Sequence, residues 1–338
     1  MNNHLHPSTL EKQYKDHLSS FRTWVKENDA DALVYPENFG AHMSIDETSL
    51  SNGELYTILT NKDAHGKKGA LAAIMKGTKN EVVTKALDRV PIAKKMAVQE
   101  ITLDLANSMD WICRTNFMNA TLTADRFHVT KAVLEGLQEM RIALRREAID
   151  AENRRVLEGK ERRKEERNTP PSSTAPPVSS SLSPPAPSLP LPKTLKNGDT
   201  LKQLLARSRY LLFKTSTKWT VSQKERADIL FGLYPDLKHA YHLTLSFRSI
   251  FERDQSMAQG RAQLHDWYEQ ISASGLPELQ SASCTIKANE GKILNFFTDR
   301  STNAGAESFN AKLKGFRSLL RGVGDLKFFL FRVETLFA

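Results

Sequence analysis

Residues Ala41–Thr60 read A-H-M-S-I-D-E-T-S-L-S-N-G-E-L-Y-T-I-L-T, and the fold turns on how this stretch is understood. Two alternating or apolar runs, Ala41–Leu50 and Glu54–Thr60, flank Ser51-Asn52-Gly53, whose Asn and Gly accept the backbone angles of a tight turn. A third run, Gly69–Gly77, follows the polar cluster Asn61–Lys68. The spacing predicts three consecutive antiparallel strands. Asp46 stands in the middle of the first, where strand propensity disfavours it. Its neighbour Glu47 points to the other face, because side chains alternate along a strand.

Beyond these strands the period changes. Glu81–Val90 places Val82, Val83, Ala86, Leu87 and Val90 on one helical side, with Pro91 as its stop. Val98–Leu105 reads as a strand, Ser108–Asn116 as a short helix and Thr121–Ala124 as a strand. A long helix follows from near Val129, carried by Val133, Leu134, Leu137, Met140 and Leu144. The order β-β-β-α-β-α-β-α predicts an α/β fold with a mixed sheet. The helix loses its apolar stripe past Arg145, and Ala148–Asn168 has the interspersed charges of an exposed helix. Thr169–Pro192 is a Pro/Ser linker with almost nothing to pack. Thr200–Ala273 is helical in pattern, Glu290–Phe297 reads as a short helix, and Asn303–Arg321 and Leu326–Phe337 close the chain around a Gly322–Gly324 break. Toward the N-terminus, Leu10, Tyr14, Leu18, Phe21 and Val25 predict one helix. The expected division is an N-terminal helical segment (1–40), the first part of the core (41–147), a charged helix and linker (148–193), a helical insertion (194–298) and closing helices (299–338).

The 338 residues carry 48 Lys plus Arg against 39 Asp plus Glu, a net charge of +9. Such a surplus suits a polyanionic partner, since each phosphate neutralised releases condensed counterions. Cys113 and Cys284 have no zinc or disulfide spacing, no signal peptide is visible, and no apolar run spans a bilayer. The expectation is a cytoplasmic, nucleoid-associated protein.

Two acids fall on predicted strands, Asp46 and, at the end of the fourth, Asp104. Side by side on one sheet, two carboxylates repel unless a cation joins them. Mg²⁺ takes such hard oxygens together with water and substrate phosphate, which fits two-metal phosphoryl transfer. Alone, the pair reads more readily as solvated edge residues. A third acid, Glu307, lies in Ser301–Asn310, at the start of a helix carrying Lys312, Lys314, Arg317 and Arg321. Glu307 and Lys314 share a helical face, which an ordinary amphipathic helix also explains.

The motifs S-I-D-E-T (Ser44–Thr48), T-L-D-L (Thr102–Leu105), A-D-R-F-H-V (Ala124–Val129) and N-A-G-A-E-S-F-N (Asn303–Asn310), in this order, resemble the bacterial insertion-sequence DDE transposases. The closest group is the ISL-three group and, within it, the ISAon-type branch. The resemblance runs from about Ala41 to the C-terminus, apart from the linker. It implies an RNase H-like fold interrupted by a helical insertion domain, with Asp46, Asp104 and Glu307 as catalytic metal ligands for two Mg²⁺ (or Mn²⁺) ions. Asp125 is the rival for the second position; otherwise it caps the following helix or orients His128 beside the site. Lys312, Lys314, Arg317 and Arg321 are the expected DNA-backbone contacts. Trp267 is expected to be buried with Leu264 and Ile271, whereas Trp219 is open to burial or to stacking on an unpaired base. Where some DDE groups carry an Arg four residues before the last acid, this chain has Asn303, so that contact falls to Arg300 or another group. The N-terminus shows no helix-turn-helix reader, and the branch implies a separate small DNA-binding protein as partner. The implied function is metal-dependent cleavage and strand transfer of transposon ends by a homo-oligomer on DNA. The alternatives are a nuclease on the same fold without strand transfer, or an inactive DNA-binding remnant.

Overall fold

The computed structural model describes residues 7–51, 53–168, 193–300, 302, 304–319 and 323–338. Strands are β1 (Ala32–Val34), β2 (His42–Ser51), β3 (Glu54–Asn61), β4 (Leu71–Lys76), β5 (Glu100–Leu103) and β6 (Thr121–Ala124). Helices up to the insertion are α1 (Pro7–Gln13), α2 (Phe21–Glu27), α3 (Asn80–Leu87), α4 (Ile92–Ala97), α5 (Asn107–Asn116) and α6 (Arg126–Asn168). After it come α7 (Leu201–Arg207), α8 (Arg209–Leu212), α9 (Val221–Leu233), α10 (Pro235–Glu252), α11 (Met257–Ser274), α12 (Pro277–Ala288), α13 (Glu290–Asp299), α14 (Ala304–Leu319) and α15 (Leu326–Phe337).

The chain divides into two compact units. One comprises Met1–Lys131, Arg253–Gln263 and Thr285–Ala338; the other Ala132–Glu252 and Leu264–Cys284. The first is built on a six-stranded sheet in the order β1-β4-β3-β2-β5-β6. The first four strands in this order pair antiparallel, β2–β3 and β3–β4 through direct turns and β1 as an edge strand on β4; β2–β5 and β5–β6 pair parallel, with helices in the connections. This is the RNase H-like α/β arrangement, interrupted by a helical insertion. Its three leading strands and the two that follow match the expected order.

The alternation of β2 sorts side chains onto two faces. Met43 and Ile45, with Leu59, Met75, Ile101 and Leu103 of neighbouring strands, pack against Val83 and Leu87 of α3 and Met109 and Ile112 of α5. On the opposite face Tyr56, Ile58, Leu71 and Ile74 pack against Phe309 and Leu313 of α14 and Phe329–Phe331 of α15. α14 is thereby laid over the face that carries Asp46. α2 joins the same cluster through Phe21 and Trp24.

Three features depart from expectation. The N-terminal helix is not continuous: a π-helical turn at Tyr14–Leu18 and the bend at Ser19-Ser20 separate α1 from α2. α3 ends at Leu87, short of the expected Val90, and Pro91 is the N-cap of a further helix, α4. β1, a three-residue edge strand on β4, went unread. The charged segment does continue as helix, since α6 runs to Asn168. The Pro/Ser linker lies outside the described residues.

The second unit is helical. Thr200 and Thr220 each begin a helix with a reciprocal capping box, to Gln203 and Gln223. Trp267 is buried as expected, its Nε1 donating to Leu243 O at 2.9 Å and its ring 4.6 Å from Phe247. Trp219 is half-buried against Phe231 and Tyr241 and donates to Leu211 O at 2.8 Å. Its ring is therefore a packing element of this unit.

Candidate active site

Asp46 lies on the face of β2 shared with Ser44 and opposite Ile58 of β3. Ser44 pairs with Thr102 of β5, and Thr102 with Thr123 of β6. Two residues further along each strand, the same row is occupied by Asp46, Asp104 and Asp125. The period-2 geometry of three adjacent parallel strands thus puts three carboxylates side by side at one sheet edge. Asp104 and Asp125 stand just past the ends of β5 and β6, and Asp125 N–H still donates to Leu103 O at 2.7 Å. The row behind them is polar as well. Ser44, Thr60, Thr102 and Thr123 are all buried, and Lys62 Nζ donates to Glu100 Oε2 (2.6 Å) and Thr102 Oγ1 (2.8 Å).

Each acid is held differently. Asp46 Oδ1 accepts from the Glu47 N–H at 2.8 Å, and Oδ2 from Asn310 Nδ2 of α14 at 2.6 Å. Asp104 Oδ1 accepts from the Ala106 N–H at 2.8 Å. Asp125 is 2% exposed, and its Oδ2 lies 3.1 Å from His128 Nδ1, one turn into α6. Glu307, in the first turn of α14, is exposed.

Burial pushes the Asp46 carboxyl above its ordinary value, and the charges of Asp104 and Asp125 add to it, against the Glu47 N–H and His128. Glu307 is raised first by burial, then by Asp125 and Asp46, with His128 and Arg126 opposing. Glu47, although on the other side of β2, is raised by burial and by Asp104 and Asp46. His128 is raised mainly by its hydrogen bond to Asp125, against burial. The structure therefore brings Asp46, Asp125, His128 and Glu307 into one electrostatic neighbourhood, with Asp104 coupled to it through Asp46 and His128.

A concentration of partly desolvated carboxylates raised by one another is a donor set of hard oxygens that a divalent cation relieves. Among the described residues no three His, Cys, Asp or Glu side chains are gathered closely enough to hold a metal ion by themselves. The chemistry of these donors fits Mg²⁺, which uses one or two carboxylates and completes its shell with water and phosphate.

The basic residues of α14 separate into distinct environments. Lys312 Nζ donates to Gly66 O at 2.7 Å and Arg317 Nη1 to Ser49 O at 3.4 Å, so both tie the helix to the sheet unit. Lys314 is exposed. Arg321 lies outside the described residues. Two residues of the site were not foreseen. Asn310 falls three positions after Glu307, on the same helical face, and Arg126 sits inside the A-D-R-F-H-V motif.

The family model for ISL-three transposases, described as "Transposase", matches residues 43–333. Neither the curated proteins nor the solved structures contain a match. No helix among the described residues is long and apolar enough to cross a membrane. The matched span takes in the carboxylate row, the helical insertion and the helix of Glu307, and the chain belongs to the ISL-three family of DDE transposases.

Proposed function

We propose that this chain is the catalytic subunit of an ISAon-type element and cuts and joins transposon-end DNA by metal-dependent phosphoryl transfer at Asp46, Asp104 and Glu307. The observation that carries the reading is the placement of Asp46 in a carboxylate row beneath α14, with Glu307 close enough to feel its charge. Asp46, Asp104 and Glu307 would hold two Mg²⁺ or Mn²⁺ ions, which supply Lewis acidity to the phosphodiester oxygens when bound. The chain's own contribution is orientation. Asn310 and the Glu47 N–H fix both oxygens of Asp46, and the Ala106 N–H fixes one oxygen of Asp104. His128, bonded to Asp125, orients that carboxylate, and in its protonated form would oppose the rise of the Asp46 and Glu307 carboxyls. Lys314 and Arg321 are assigned to the DNA backbone, with Lys312 and Arg317 positioned to follow once their present bonds exchange. A homo-oligomer pairing two ends, and a separate small end-reading protein, complete the proposed assembly.

Asp125 is the second reading for the middle acid, favoured by its direct influence on Glu307. Against it stand its near-complete burial and its engagement with His128. The test is cleavage of labelled end DNA in Mg²⁺ by Asp46→Asn, Asp104→Asn, Asp125→Asn and Glu307→Gln. Loss below detection is expected for Asp46→Asn, Asp104→Asn and Glu307→Gln, and a partial loss of about 10- to 100-fold for Asp125→Asn. Wild-type rates in Asp46→Asn would sink the metal model, and a reversed order of Asp104 and Asp125 would move the second ligand. Joining of a labelled 3′ end to a plasmid separates a transposase from a nuclease. DNA binding without any cleavage by the wild type would identify an inactive remnant.

A further inference from the structure

Base stacking needs an exposed ring near the cut strand, and the two tryptophans considered for it are committed elsewhere. Trp267 is 1% exposed, and Trp219 is half-buried with its Nε1 bonded to Leu211 O. Phe127 is the opposite case. It is 58% exposed, two residues after Asp125, with its ring 5.4 Å from that of His128 at an interplanar angle of 79°. The helix it sits on turns Val129 and Val133 to the core, so the core does not use the Phe127 ring. An exposed phenyl ring packed edge-on to His128, the partner of Asp125, has no folding role that its contacts reveal.

The charges around it favour a strand of nucleic acid. The carboxylate row alone would repel DNA, so cations must stand at its rim. Arg126, exposed and adjacent in sequence, is close enough to Glu307 to oppose the rise of its carboxyl. Its guanidinium lies 6.0 Å from the Phe296 ring centroid, and that of Arg300 lies 5.5 Å from the same centroid. Two guanidinium groups thus stand over one aromatic ring, and Arg300 is held there by its bond to Arg253 O at 2.7 Å and its ion pair with Asp254 at 3.6 Å. Planar guanidinium groups match phosphate oxygens, and an aromatic face next to them takes a base regardless of its identity.

We propose that Phe127 is a stacking platform for an unpaired nucleobase at the mouth of the carboxylate site, with Arg126 holding the phosphate beside that base. The proposal rests on the chain acting on DNA ends at this site, as argued above, and adds the residues that recognise a locally unpaired strand.

The test uses the full chain without divalent metal and two fluorescein-labelled probes: a blunt duplex, and the same duplex with a single-stranded thymidine overhang. Fluorescence anisotropy at fixed salt gives the ratio of their affinities. The wild type is expected to favour the overhang by about tenfold, within the range of one aromatic–base stack. Phe127→Leu, which keeps an apolar side chain but no ring, should bring the ratio close to one with blunt-duplex affinity unchanged; Phe127→Trp should keep it. Arg126→Ala should weaken both probes and lower the salt slope by about one. A wild-type ratio of one, or a Phe127→Leu protein that keeps the wild-type ratio, overturns the proposal. Because these are binding ratios, the outcome is separate from the cleavage assay: undiminished cleavage by Asp46→Asn would remove the metal model and leave the stacking result to stand or fall alone.

Discussion

Asn310 offers the most direct examination of how the site is held. Its side chain is 8% exposed and donates to Asp46 Oδ2 at 2.6 Å, from a helix more than 260 residues away in sequence. A hydrogen bond to a charged group contributes about 1.5–3 kcal/mol, and one between neutral groups about 0.5–1.5 kcal/mol. Asn310→Ala in the metal-free protein should therefore cost about 1.5–3 kcal/mol, because it leaves a partly buried carboxylate with one bond fewer among like charges. In an Asp46→Asn background the same change should cost only about 0.5–1.5 kcal/mol. The double-mutant cycle then gives a coupling of roughly 1–2 kcal/mol, read from urea unfolding of the four proteins in EDTA. A coupling below about 0.5 kcal/mol, the scatter of independent sites, would mean that Asn310 merely fills space. The same variant should weaken Mg²⁺ affinity by about tenfold, as loss of an orienting partner does elsewhere.

Two other perturbations read different parts of the sheet unit. The folded-state pKa of His128 lies above its unfolded value of 6.5, so its stabilising contribution is complete below that pH and is lost as pH rises through the folded value. Asp125→Asn should lower the His128 titration midpoint in an NMR pH series and flatten this fall in stability, and an unmoved midpoint would assign the shift to another group. At Gly260 a Cβ would meet Phe297 Cε2 at 2.5 Å, so Gly260→Ala should cost about 1–3 kcal/mol and be relieved by Phe297→Leu in a thermal melt. An unchanged Tm would show that the ring moves freely.

Much of the sheet was legible because its signals are local. Gly53, at φ +80°, lies in the β2–β3 turn where the sequence signals one, and apolar or alternating runs mark the longer strands. β1 escaped because Ala32-Leu33-Val34 is too short to show a period, and only its pairing with β4 makes it a strand. The break between α1 and α2 escaped for the opposite reason: the apolar spacing persists through a backbone that does not stay α-helical. For the site, a strand Asp is conspicuous, so Asp46 and Asp104 could be read. The burial of Asp125 could not, since an Asp before a helix looks the same whether it caps the helix or bonds a His from beneath. Asn310 closes the N-A-G-A-E-S-F-N motif but carries no charge, and its role depends on a contact made across the fold. The basic stripe of α14 was visible, but sequence could not tell that Lys312 and Arg317 bond backbone carbonyls of their own unit.

The wide separation of Glu307 from the strand acids has a consequence for synthesis. About 180 residues lie between Asp125 and Glu307, among them the whole helical unit. Translation at about 5–20 residues per second would deliver the strand acids roughly 10–40 s before the last acid leaves the ribosome. A nascent chain still tethered to its messenger therefore carries an incomplete carboxylate set. On the proposed assignment of Glu307 as the last ligand, the order of the polypeptide itself postpones competence to break DNA until the segment carrying Glu307 has been made.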